Sequence, residues 1–246
     1  MKISGIFAAA LFALSSTQAM AAPGAGDKVY GARLEKGVSE VEVRYGRLTG
    51  DAADGEDAAV VELSHAFSNR FSAGILLETE REPHLSREVE SYAIETIYTL
   101  GHIAALDTDV ALYGEYEAKR HGAPDAIETK LLLQHSRGPF DSRLNFVVEK
   151  ALQQGAPLEF GYAVSADWAA FGEFRLGAEA FGHLGSTDKF LPREEHFAGP
   201  MLRTEIVHLP GKGELEIETG YLFALGKSRD ETNGQFRLVL EYEFRF

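Results

Sequence analysis

The chain has 246 residues, no cysteine, eight histidines and a formal net charge of −14. Without thiols there is neither a disulfide nor a thiolate metal site. The acid excess excludes nucleic acid as a partner, because phosphate binding needs a cationic face.

The amino terminus reads as an export signal. Lys2 supplies a charged start, residues 6–14 (IFAAALFAL) form a short apolar run, and Ala19-Met20-Ala21 is a small-x-small cleavage pattern ahead of Ala22-Pro23. Residues 1–21 therefore read as a secretory signal peptide, cut within 19–23 and too short to span a bilayer. No later window approaches 18 unbroken apolar residues, so no membrane-spanning helix is predicted. Residues 22–37 form a lead-in to a single domain over 38–246.

From there the chain alternates apolar and polar residues with a period of two, which marks strand rather than helix. Strands are expected at 38–48, 57–66, 71–80, 88–100, 107–119, 126–135, 140–150, 157–166, 170–181, 199–207, 213–224 and 235–246. In the seventh, Phe140, Ser142, Leu144, Phe146 and Val148 oppose Asp141, Arg143, Asn145 and Glu149. In the eleventh, Leu215, Ile217, Thr219, Tyr221 and Phe223 oppose Glu214, Glu216, Glu218 and Gly220. The links alternate in length. Short ones fall at 67–70, 101–105, 136–139, 166–169 and 208–213, and longer polar ones at 50–57, 80–86, 120–126, 182–199 and 226–234.

The last segment, QFRLVLEYEFRF, carries the most information. Phe236, Leu238, Leu240, Tyr242, Phe244 and Phe246 share one face, and Arg237, Val239, Glu241, Glu243 and Arg245 share the other. This pattern with a terminal Phe resembles the carboxy-terminal strand of bacterial outer-membrane β-barrels. The resemblance implies an all-β, single transmembrane antiparallel up-and-down barrel of about 12 strands, ten to fourteen being compatible with the pattern. It also implies a chain exported to the bacterial outer membrane. The partners are then outer-membrane lipid and the barrel assembly machinery, which would read Tyr242, Phe244 and Phe246. Short turns would be periplasmic and the 22–37 lead-in would lie on that side. A soluble lipocalin-like barrel is the inverted competitor, with charges outside and an apolar cup, and strand parity alone does not separate the two.

If the charged face lines the lumen, its acids include Glu42, Glu62, Glu95, Glu115, Glu117, Glu128, Asp141, Glu149, Glu159, Glu173, Glu179, Glu205, Glu216, Glu218 and Glu241. Its bases include Arg44, Lys130, Arg143, Arg175, Arg203 and Arg237. Such charges must be paired or hydrated. A narrow passive channel, porin-like in the breadth of that resemblance, follows as the expected function. Its acid excess favours cations or small polar solutes, as carboxylate rings do in other pores. For selectivity the candidates are Glu42, Arg44, Glu115, Glu117, Lys130, Asp141, Arg143, Glu173, Arg175, Arg203, Glu205, Glu216, Arg237 and Glu241. A closed structural or adhesion barrel, with the 182–199 loop as its contact surface, is the alternative.

Enzymatic strings are weak. His84-Leu85-Ser86-Arg87-Glu88 resembles the His-x-Ser-Asn-Gly signature of outer-membrane phospholipases but lacks Asn-Gly, and His135-Ser136 has the wrong spacing. Asp107-Thr108-Asp109 and Glu194-Glu195-His196 resemble pieces of the outer-membrane aspartyl-type protease site without its Asp-x-His. No catalytic residue is assigned. No histidine pair has metal-ligand spacing and no phosphate loop occurs, so no metal or other cofactor is expected.

Overall fold

The computed structural model describes residues 26–191, 194–209 and 213–245. The proposed signal peptide and the terminal Phe246 lie outside the described residues. Twelve strands close into one antiparallel barrel in sequence order, β1 pairing with both β2 and β12. They are β1 Val38–Thr49, β2 Asp57–Ser68, β3 Phe71–Arg81, β4 Glu88–Ile103, β5 Thr108–Lys119, β6 Ala126–Arg137, β7 Phe140–Ala151, β8 Glu159–Phe171, β9 Phe174–Ser186, β10 Glu195–Leu209, β11 Gly213–Gly226 and β12 Gly234–Arg245. Every strand edge is paired, as a sheet in lipid requires.

The two faces sort by chemistry in the direction that excludes the soluble competitor. Ile75, Ile94 and Trp168 point outward at 58%, 59% and 54% exposure, in a belt with Val61, Leu63, Leu112, Phe146, Leu176 and Phe223. Glu42, Arg44, Glu62, Glu95, Glu179, Arg203, Glu218 and Arg237 are buried inside. An apolar outer wall around a charged interior is the outer-membrane arrangement.

Two expected connections are corrected. β8 runs through the expected turn at 166–169 to Phe171, and the reversal is the pair Gly172-Glu173, with Gly172 at φ +54°. That left-handed backbone suits glycine, whereas Ala166 and Asp167 simply pair with β9. Glu173 is consequently an exposed turn residue and not part of the lumen wall. The expected 182–199 loop is largely strand, since β9 continues to Ser186 and β10 starts at Glu195. Its glycines and short side chains had hidden the alternation.

The described part of the lead-in enters the barrel. From Val38 the described chain folds back and climbs inside the barrel, and Val29, Tyr30 and Ala32 are buried there.

Candidate functional site

The lumen walls are set by strand register. Directly paired residues on neighbouring strands have Cβ atoms about 4.5–5.5 Å apart, and like charges so placed repel. Yet Glu95 pairs with Glu115, Glu115 with Glu128, Glu128 with Glu149, and Glu149 with Glu159, across β4 to β8. On the opposite arc Glu62 pairs with Glu42, Glu42 with Glu241, Glu241 with Glu216, and Glu216 with Glu205, across β2, β1, β12, β11 and β10. Glu159 is the first residue of β8 at the long-loop end, while Glu205 lies near the short-turn end of β10. Because barrel strands tilt, a path perpendicular to them climbs. The ten glutamates thus form a staircase from one mouth to the other.

Its single gap is β3, where Gly74 pairs with Ser64 on one side and Glu95 on the other. A Cβ on Gly74 would lie 3.1 Å from both Glu95 Oε1 and Ser64 Cβ, so glycine leaves the space in which the two arcs approach.

Cations stitch the staircase. Arg203 reaches Glu218 Oε2 at 2.5 Å, Glu216 Oε1 at 3.1 Å and Asp167 Oδ2 at 3.2 Å. Arg44 Nε lies 3.3 Å from Glu42 and its Nη2 3.5 Å from Glu62. Lys130 Nζ is 2.9 Å from Glu128 and stands over the rings of Tyr30 and Tyr113 at 4.7 and 4.6 Å. Arg237 pairs with Glu179 at 3.7 Å and stacks over Phe181. Asp141 is held by Arg143 at 3.2 Å, Glu117 by Lys119 at 3.2 Å, Glu115 by the Tyr113 hydroxyl, and Arg175 by Asp167.

The lead-in runs up the middle of this network. At the rim Lys36 N–H donates to Asn69 Oδ1 at 2.9 Å, and Arg33 meets Asp109 at 2.5 Å. Ala32 N–H donates to Gln134 Oε1 at 3.0 Å, and Thr99 Oγ1 donates to the Ala32 carbonyl at 3.0 Å. Asn145 takes the Tyr30 N–H at 2.8 Å and returns a bond to its carbonyl at 3.0 Å. The Tyr30 hydroxyl donates to Glu95 at 2.9 Å. Lys28 Nζ ends among Glu42 at 2.5 Å, Glu40 at 3.0 Å and Glu241 at 3.2 Å. Asn145 and Gln134, unremarkable as polar strand residues, therefore serve as backbone clamps. Nothing local in the sequence around Lys28 and Tyr30 signals this, because their partners lie on strands far along the chain.

Above Lys28, a cavity of about 470 Å³ opens among Glu78, Glu80, Glu115, Glu117, Glu128, Glu149 and Glu159 on one wall and Phe160, Tyr162, Phe181 and Phe197 on another. The apolar side continues as a buried cluster with Val29, Leu48, Met201, Leu222 and Ala224. A second apolar cluster, Tyr30, Ala32, Ile97, Ala111, Tyr113 and Leu132, lines the lead-in lower down.

Of the sequence-selected candidates, Glu42, Glu115, Glu205, Glu216 and Glu241 lie on the staircase, and Arg44, Lys130, Arg203 and Arg237 face its interior. Tyr242 and Phe244 stack on each other with ring centroids 5.7 Å apart. The enzymatic strings fall elsewhere. His84 and Ser86 sit in the exposed β3–β4 loop, and Asp107 and Asp109 flank His102 at the short-turn rim at 3.6 and 3.0 Å. Among the described residues, one set of three carboxylates, Glu40, Glu241 and Glu243, is close enough to share a metal ion, and Lys28 already salt-bridges two of them.

No family model and no curated protein matches the chain. Solved structures do. The NanC porin aligns with a TM-score of 0.58 over 84% of this chain and 100% of its own, at 11% identity. The KdgM porin in complex with disordered oligogalacturonate aligns at 0.55 over 84% and 99%, with 12% identity. An outer membrane channel from Pseudomonas putida F1 aligns at 0.59 over 87% and 97%, with 11% identity. At these identities the likeness is one of fold.

Proposed function

We propose that this chain, whose fold is that of the bacterial outer-membrane β-barrels, is a narrow passive channel of the outer membrane for cations or small polar solutes. The staircase of ten glutamates carries the reading. Five carboxylates in direct lateral succession weaken a barrel unless something positive moves along them or stays among them. A cation shed of part of its water finds a carboxylate at each step, which is how acidic linings select in pores. The arginines and lysines on the same walls keep the net field moderate, so that binding at a step remains weak enough to leave.

In this reading the short turns and both termini face the periplasm, and Tyr242, Phe244 and Phe246 serve as the assembly signal. One similar fold was solved with disordered oligogalacturonate, an acidic sugar chain. The acid-rich lumen of this chain disfavours an anion of that kind, so the proposed selectivity is the opposite one.

A second reading has its own observation. The strap of residues 26–36 fills the lumen at mid-height, as a permanently closed structural barrel would require. Single-channel recording of the folded mature chain in a planar bilayer under a KCl gradient separates the two. Discrete steps with a cation-selective reversal potential support the channel. Stable insertion without current, under all voltages and salts, supports the closed barrel.

A further inference from the structure

The strap holds the lumen with groups of a particular kind. It has no strand of its own and adds no ladder to the sheet. Its anchors include hydrogen bonds from wall side chains to its backbone, the Arg33–Asp109 pair, the Tyr30 hydroxyl bond to Glu95, and one ammonium in a carboxylate cage. Glu42 is fully buried, and its nearest cation is Lys28 Nζ at 2.5 Å. Glu40 and Glu241 complete the cage at 3.0 and 3.2 Å. Two of these three, Glu42 and Glu241, are consecutive steps of the staircase. Lys28 therefore sits on two consecutive steps of the staircase.

We infer that the strap is a tethered ligand of the conduit: Lys28 occupies the cage that recognises a primary-ammonium or similar cationic solute, and the pathway opens when the strap withdraws. This deepens the channel reading and rests on it. The cage is suited to an ammonium because three carboxylates surround one nitrogen that has three donors. Solute and Lys28 compete for the same oxygens, so cationic solute itself favours the open state, and an anion does not. Withdrawal toward the short-turn mouth exchanges polar contacts for water and uncovers the buried Val29, Tyr30 and Ala32. It leaves the barrel ladder intact, since no strand hydrogen bond has to break.

Two experiments on the full mature chain test this in planar bilayers. The chain has no native cysteine, so Gly31→Cys with Gln134→Cys introduces the only thiols. A Cβ on Gly31 would lie 3.1 Å from the Gln134 side-chain oxygen. The pair is joined by a short, reducible bis-methanethiosulfonate linker, with the link verified by mass. Conductance is expected to vanish on linking and to return with dithiothreitol. The second experiment uses Lys28→Gln with n-butylammonium as probe. A strap seated about nine-tenths of the time weakens apparent binding about tenfold, so the variant should open more often and be blocked about tenfold more tightly by the probe.

Equal currents in the linked and reduced states would overturn the strap inference, and so would unchanged butylammonium block in Lys28→Gln. If those results came with cation-selective steps, the channel reading would still stand. A folded, inserted barrel that carries no current as wild type, as the reduced pair and as Lys28→Gln would overturn both.

Discussion

Arg203 offers the most direct test of how the lumen charges are held. It is buried on β10 and its guanidinium contacts Glu218, Glu216 and Asp167 within 3.2 Å. Replacing it by Met keeps much of the stem and removes the charge. Asp167 retains Arg175, and the Glu216 side chain, 33% exposed, can hydrate, so the loss concentrates on Glu218. Breaking a buried ion pair from one side costs about 3–5 kcal/mol, and the two relieved partners place this case at the lower end, about 3 kcal/mol. That is about two decades in the folding equilibrium. The assay is guanidinium unfolding in detergent micelles, read by the fluorescence of Trp168, the single tryptophan, which sits on the outer wall. Adding Glu218→Gln to Arg203→Met should return most of the loss, and the coupling between the two changes measures the pair. A loss below about 1 kcal/mol, the level of an exposed pair, would refute the reasoning. It would mean that bulk-like water already screens these charges.

Other perturbations probe separate links of the argument. Glu128→Gln with Glu149→Gln removes two consecutive steps of the staircase, and the reversal potential in a KCl gradient should move toward zero while insertion is retained; an unchanged potential would exclude this arc from the ion path. Gly74→Ala narrows the gap between the arcs, since its Cβ would press on Glu95 and Ser64, and should lower both stability and unit conductance; full conductance in the folded fraction would show that ions do not pass β3 there. Ile94→Arg, on the outer face, should cost about 2–4 kcal/mol in lipid, as a charge near the bilayer midplane does; a neutral result in vesicle-based unfolding would contradict the assignment of the outer wall. Phe244→Ala with Tyr242→Ala should slow assembly in cells relative to refolding in detergent, and equal slowing in both would make the pair structural only.

Much of the barrel was legible because its signal is local. Alternation with period two exposes the strands, and the same alternation in 235–246 carries both faces of a transmembrane wall. The ends of β8, β9 and β10 were not legible. Ala, Gly and Ser residues there satisfy either face, so the alternation fades and only cross-strand pairing marks where each strand stops. Glu173 was misassigned to the wall for that reason.

The class of fold, the near count of strands and which residues share a face could all be read along the chain, since all three follow from the two-residue period of an extended chain. Which face is inside could not, because parity is blind to the sign of curvature and closure of the sheet sets it. Only the tertiary structure brought ten glutamates into one staircase, because their order is set by register between strands and not by spacing within them. The strap is the extreme case. Lys28 and Glu241 are more than two hundred residues apart, yet they meet at 3.2 Å because the barrel closes β1 onto β12 and leaves a charged interior that a short polar segment can enter.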